Sequence, residues 1–381
     1  MVRARYLVLA IFVAVAALLI PSVARRTEAM PTFAQAYGLD CKACHSIVPS
    51  LNAYGRYVQR TMYAGLDPSG YKKEFPIWIS DQANYDSTSD SPKLQVGNLA
   101  VHAVAVTNNW TAHVQQWIVQ NGDAGGLDTA WVSYNRLLGG DGHLVLGKMP
   151  GPGPSFWSMW NDVSGFTAPS ITVGEHVQSL AANRWGAKLT YGGTKFFGEV
   201  GYFGSSADLN GATQWAATPD NGIDKGVQGH IAFQRPDKPV SAGIVGNAGT
   251  VPLAEGGVDR YSALGGYVQV DPTLRLPGAI LYYQFGNDAN PDGSGTPARS
   301  KAYSAAVYFP ILGKRETMLG FRREMTDDGM GTITHTGNVN LAFRIFEYLH
   351  ADVEAGLTNG SRPAWRYYLW WSSPLAKNGH V

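Results

Sequence analysis

Between Ile77 and Trp371 apolar and polar residues alternate in segment after segment, and no helical apolar period of any length interrupts them. In Asn338 to Phe346, the residues Val339, Leu341, Phe343 and Ile345 alternate with Asn338, Asn340, Ala342 and Arg344. Trp185, Ala187, Leu189 and Tyr191 take turns with Arg184, Gly186, Lys188 and Thr190. Val227, Ile231 and Phe233 oppose Gln228, His230 and Gln234, and further rows run through Tyr303 to Phe309 and Trp365 to Trp371. Period two sustained over so many segments predicts strands with one apolar and one polar face.

Strands of this kind build either a soluble sandwich or barrel with its apolar side inside, or a transmembrane barrel with that side turned to lipid. Arg184, Lys188 and Arg344 recur on the polar face, where a dry core would leave charge unpaired. Tyr and Trp, 19 and 11 in number, gather in runs such as Tyr282-Tyr283 and Tyr367 to Trp371, as in the aromatic belts of membrane proteins. The 45 glycines suit strands that bend and pack closely. About sixteen such segments can be counted, enough for a lumen that holds a channel or a plug. The expected fold is mostly β: a transmembrane antiparallel β-barrel of about 16 strands over residues 76–381, preceded by a small α-helical segment at 30–75.

The first residues read as an export signal. Arg3 and Arg5 precede the apolar run Leu7 to Ile20, and Pro21 ends it. At fourteen residues the run falls short of the roughly 20 needed for a membrane helix. A signal peptide over 1–29, cleaved after Ala24 or Ala29, is expected. Its loss removes four Arg and one Glu, taking the formal charge from +1 to −2, and nothing then points to nucleic acid.

Residues 30–75 carry the chemistry. Cys41 and Cys44 are the only two cysteines, and His45 follows them. Cys-x-x-Cys-His is the attachment signature of c-type haem. Two thiols at this spacing can form thioethers to the vinyl groups of one macrocycle, and the adjoining imidazole can ligate its iron. A zinc site would need two more ligands at motif spacing, and no second pair exists. A redox dithiol would sit in a βαβ setting that is also missing. One covalently bound haem c is therefore the expected cofactor, with His45 as proximal iron ligand.

Met62 is the first candidate for the distal ligand, since a thioether there raises the reduction potential. Met30, His113 and His230 are the others, and an open sixth position would suggest ligand binding instead of pure electron transfer. Asp40 is expected to cap a short helix bearing the cysteine pair. A second helix is expected from Pro49-Ser50 to Tyr63, with Tyr54 and Tyr57 lining the haem edge. So short a segment cannot wall in a macrocycle by itself, so it is expected to enter the barrel as a plug. Pro150 to Ser155, with Phe156, Trp157 and Trp160, follows no βα pattern. It reads as a turn or an inward constriction loop.

Met30-Pro31-Thr32-Phe33-Ala34, then Cys41 to His45, then Pro49 to Arg56 together resemble the fused monohaem cytochrome–porins of the outer membrane, an iron-oxidising cytochrome family. The resemblance implies electron transfer across the outer membrane of a Gram-negative bacterium, in contact with its lipid. It implies extracellular Fe(II) as one candidate donor and a periplasmic c-type cytochrome or other carrier as acceptor. The alternative is a solute porin whose haem segment gates or senses. A conduit should be electrically plugged, whereas a porin should pass ions.

Overall fold

The computed structural model describes residues 36–39, 43–47, 50–66, 68–70, 77–88, 94–96, 99–120, 123–153, 171–173, 176–178, 183–193, 195–204, 225–253, 257–273, 276–291, 293–311, 317–346 and 349–374. The signal segment 1–29, Met30, Asp40, Cys41 and the aromatic stretch from Phe156 to Trp160 lie outside the described residues.

Alternation of polarity becomes sixteen staves: β1 (Ile77–Asp86), β2 (Ala100–Val106), β3 (Trp110–Trp117), β4 (Leu127–Leu137), β5 (Gly142–Pro150), β6 (Asn183–Gly192), β7 (Phe196–Phe203) and β8 (Lys225–Gln234) make one half. The other half is β9 (Val240–Pro252), β10 (Val258–Val270), β11 (Gly278–Asp288), β12 (Ala298–Ile311), β13 (Thr317–Asp327), β14 (Ile333–Phe346), β15 (Leu349–Thr358) and β16 (Ala364–Pro374). Each pairs antiparallel with the next, and β16 closes on β1 from Arg366↔Asp86 to Pro374↔Trp78. The short strand Leu94–Val96 continues the path of β2 along β1. Closure leaves no edge strand, the condition for backbone to survive in lipid.

The two mouths differ. At one, connections are short: 193–195, 235–239, 312–316 and 347–348. At the other lie the long ones, 151–182 and 204–224. In outer-membrane barrels short turns face the periplasm and long loops the exterior.

Strand β11 shows how the faces are used. Leu281, Tyr283 and Phe285 point out and are half-exposed, while Tyr282, Gln284 and Asp288 are buried within. Elsewhere outside, Ile231 is 67 % exposed and Ile244 59 %. A continuous band of such residues marks a surface solvated by lipid. The lumen holds charge, including Lys188, Glu199 and Glu354.

Two features of the expectation change. Tyr282, Tyr368 and Trp370 face inward, because successive strand residues alternate sides. Only alternate aromatics of those runs contribute to a lipid belt. The lumen is also not uniformly polar. One inner cluster (Tyr267, Ile280, Tyr282, Tyr308 and Met318 among them) lines β7 to β13, and the backbone of Ile171–Val173, within the long β5–β6 connection, lies against β10 to β13.

The lipid-facing assignment has a direct check. Replacing Ile231 by Arg places a guanidinium in the apolar band and should cost about 2–4 kcal/mol if it lies near the bilayer midplane. Reversible urea unfolding in lipid vesicles measures it, and a cost near zero would mean this face is not in lipid.

Candidate functional site at the plug–barrel interface

The N-terminal segment is held inside the barrel through a short helix, α1 (Ala53–Arg60). Eight residues are too few for a helix to persist on propensity alone. Its start is fixed by Asn52, whose side-chain oxygen accepts from the Gly55 amide at 2.9 Å. The same side chain donates to the Ala43 carbonyl (3.1 Å), and the Asn52 amide donates to the Cys44 carbonyl (2.9 Å). One residue thus caps the helix and ties it to the cysteine segment. Gly55 is needed here, because any Cβ would strike the Cys44 carbonyl. The helix ends where Met62 and Tyr63 adopt φ of 51° and 62°, left-handed backbone that side chains disfavour.

After Cys44 the local structure departs from the expectation. His45–Ile47 and Ser50–Leu51 pair as a small antiparallel ladder, His45 opposite Leu51. Cys44 therefore stands in a turn between Ala43, which is in 3-10 conformation, and a strand; Asp40 to Lys42, where the expected helix would begin, lie outside the described residues. The second helix is shorter than expected because Asn52, not Ser50, provides the cap.

Two arginines fasten α1 to the wall. Arg56 donates to Ser241 Oγ of β9 (3.0 Å) and pairs with Asp271, which directly follows β10; both charges are almost fully buried. Arg60 donates to Gln234 of β8 and to the Tyr267 hydroxyl of β10 (2.8 Å), and its guanidinium lies 5.6 Å from the centre of the Phe197 ring. These partners lie on the strand face opposite Ile231, Phe233 and Val268, so the helix is in the lumen. They also cluster near the ends that carry the short turns. Tyr57 adds a bond to the Gly192 carbonyl at the end of β6 (3.3 Å). The plug that was expected from the size of the segment is present, at the short-turn mouth.

From Arg60 a buried polar chain continues upward. Tyr267 OH meets His230 Nε2 at 2.9 Å, and His230 Nδ1 meets Glu199 Oε1 at 3.0 Å. Lys188 Nζ lies 3.1 Å from the other Glu199 oxygen. The Gly153 amide also donates to Glu199 (3.0 Å), Lys188 donates to the Pro150 carbonyl (3.2 Å), and Gln228 donates to Pro152. The loop after β5 is thereby drawn inward over 150–153, as the constriction reading expected.

The candidate iron ligands fare differently. His230 has both ring nitrogens engaged and offers none to a metal. His113 Nδ1 bonds to Thr129 Oγ1 (3.1 Å), and its ring packs between His102 and Trp131 at 6.3 and 5.7 Å. Met62 is buried in an apolar cluster with Val58, Leu66, Val104 and Trp131, against the β2–β7 side. Tyr54 packs on that cluster within electrostatic reach of Cys44, and Tyr63 stacks on Trp131 at 6.2 Å. Sequence reasoning missed His350 on β15. It is inward-facing, its Nδ1 is buried with no hydrogen-bond partner among the described residues, and it lies within electrostatic reach of His45. A lone strand histidine gives no sequence signal for such a position.

The residues fit a haem on two counts. Cys44 is a buried free thiol next to His45, and an unsatisfied imidazole nitrogen stands on the wall near them. Burial alone pushes the Cys44 thiol up from 9.0 to about 11.

The fold and this lumen define the class: an outer-membrane β-barrel of porin architecture. It is similar to the anion-selective porin from Comamonas acidovorans, with 11% identity, a TM-score of 0.55, and 79% of this chain and 98% of that one covered. It is likewise similar to the outer membrane channel DcaP of Acinetobacter baumannii, at 10% identity and TM-score 0.52, covering 78% of this chain and 96% of that one. A third likeness is to a loop L8 deletion mutant of OmpT, an outer membrane protein of Vibrio cholerae, at 13% identity and TM-score 0.51, covering 79% and 98%. At these identities the likeness is one of fold. No protein-family profile and no curated protein sequence matches the chain.

Two outcomes follow for the plug. Asp271→Asn leaves Arg56 buried without a countercharge and should weaken docking by about 3–5 kcal/mol. Limited trypsin digestion of the folded barrel should then clip the plug at least about a hundredfold faster, by the tenfold per 1.4 kcal/mol rule; an unchanged rate would show that the pair does not anchor it. In haem-free Cys41→Ser protein, Cys44 stays a neutral thiol until the pH approaches about 11. Its raised value means this contribution to stability is complete below 9.0 and is lost as pH climbs from 9.0 to about 11. Alkylation rate against pH reads this directly, and an inflection at the ordinary value would show Cys44 to be solvated.

Proposed function

We propose that this chain is an outer-membrane electron-transfer protein in which one haem c, attached through Cys41 and Cys44 and ligated by His45, is held in the barrel lumen. One observation supports the reading above the rest. The segment bearing Cys44 and His45 is packed inside the barrel and pinned to its wall by Arg56 and Arg60. A solute pore has no need of a buried ion pair that fixes a plug in its mouth.

When bound, the haem supplies a one-electron couple. The chain's own part is to hold it and keep bulk water from it: Asn52 fixes the Cys44 backbone, and the wall residues around Arg60 close over α1. The electron comes from a reductant outside the cell, for which Fe(II) is the candidate the family resemblance supplies, each Fe(II) becoming Fe(III). It leaves on a periplasmic c-type cytochrome or another carrier at the short-turn mouth.

A solute porin with a haem-bearing gate is the second reading, favoured by the fold likeness to channels such as the anion-selective porin. Conductance separates the two. The full-length protein in planar bilayers should pass almost no ion current, and an Arg56→Ala, Arg60→Ala double variant should open to porin-like conductance. The same preparation should show covalent haem by its pyridine haemochrome, and anaerobic mixing with Fe(II) should bring up the reduced α-band in stopped flow. Wild-type protein that conducts freely and carries no covalent haem would end the electron-transfer reading. Covalent haem that Fe(II) does not reduce, although dithionite does, would remove iron as the donor.

A further inference from the structure

The inner wall facing the cysteine segment holds a histidine that no interaction described so far uses. His350 lies on β15 two and four residues before the inward Asp352 and Glu354, so its ring also points into the lumen. Its ring centre is 5.4 Å from that of Trp370, its partner across the ladder on β16. On the other side it pairs with Arg344 of β14. At this rung the register shifts between Arg344 and Phe346. A bulge of this kind bends the strand and re-aims side chains, and bulges are over-represented beside functional sites. The plug residue within electrostatic reach of this ring is His45, the histidine of the Cys-x-x-Cys-His motif.

A buried imidazole nitrogen with nothing to bond costs free energy unless a ligand takes it up. Among the other candidates, His230 is the one whose ring nitrogens are both taken, by Glu199 and Tyr267, and Met62 packs on another part of the wall, towards β2 to β7.

We propose that His350 is the second axial ligand of the haem iron, so that the iron is held between an imidazole of the plug and an imidazole of the barrel wall. This rests on the haem reading above. It makes haem attachment a cross-link between plug and barrel, because iron joins two elements 305 residues apart in sequence (45 to 350). It also places the fixed charge of Arg344 beside the ligand, where it disfavours the ferric state and raises the reduction potential.

The test uses full-length haem-loaded protein in detergent, with optical and paramagnetic-resonance spectra of the ferric form. Wild type should be six-coordinate and low-spin with a bis-imidazole signature. His350→Ala should become high-spin, and added imidazole should restore the low-spin spectrum. His350→Met should stay six-coordinate and gain a sulfur-to-iron charge-transfer band. Barrel folding is read independently from the heat-modifiable shift in gel mobility, so a misfolded variant is recognised and the Met variant decides. Arg344→Gln should lower the potential while leaving the ligation spectrum unchanged. A His350→Ala protein with the wild-type low-spin spectrum overturns the proposal, and so does a wild-type sulfur band that disappears in Met62→Leu. Absence of covalent haem in the wild type fails the reading beneath it instead.

Discussion

The buried pair of Arg56 and Asp271 is the interaction on which the arrangement of the site depends. An eight-residue helix cannot hold itself together in water, and the plug has no core of its own. Its order is borrowed from the barrel. Burying a guanidinium is costly unless a countercharge and hydrogen bonds meet it, and the wall supplies both at one place: Asp271 for charge and Ser241 for a hydrogen bond. Displacing α1 would leave two charges buried without partners, so the pair gives the plug one position among the many that apolar packing alone would allow. Everything proposed for Cys44 and His45 inherits that position through Asn52.

The same logic extends from the plug to the start of the loop after β5. Arg60, Tyr267, His230 and Glu199 form an unbroken series of buried hydrogen bonds that ends on the Gly153 amide. In a low-dielectric interior each bond polarises the next, and a gap anywhere leaves an unsatisfied group. Plug and loop are therefore coupled through the wall without touching each other in this series. Lys188 offsets the charge of Glu199, so the chain does not depend on His230 being protonated. Of the apolar inner patches, one receives the plug at β2 to β7 and the other spans β7 to β13.

How much of this could be read in the sequence follows from the range of the interactions. Strand number and face are local properties with period two, so rows such as Leu189 and Tyr191 against Lys188 and Thr190 settled them. The plug was legible too, because the segment is too small to enclose a macrocycle. The His45–Leu51 ladder was not, since a strand pair of this length depends on Asn52 bonding back to Ala43 and Cys44. The inward-facing aromatics Tyr282 and Trp370 were masked by composition, which counts residues without assigning faces. His350 had no signal at all. Its nearness to His45 depends on where β15 falls in the ring and on how deep α1 is seated, and both are tertiary facts.

The height of the plug bears on how electrons could enter under the proposed reading. Arg56, Arg60 and Tyr57 all contact residues at the short-turn ends of their strands, and His350 begins β15 at that same mouth. A haem between His45 and His350 therefore lies near the periplasm and far from the long-loop mouth, across an apolar band of about 25 Å. A periplasmic carrier could approach it closely, but a donor confined to the cell exterior could not. Electron tunnelling weakens steeply with distance, and no second haem motif exists in the chain to bridge the gap. The reductant must then travel down the lumen past the constriction loop, which favours a small hydrated ion over a mineral surface or a protein. The loop held by Glu199 and Lys188 stands on that route, and its position would govern access of the donor to the haem.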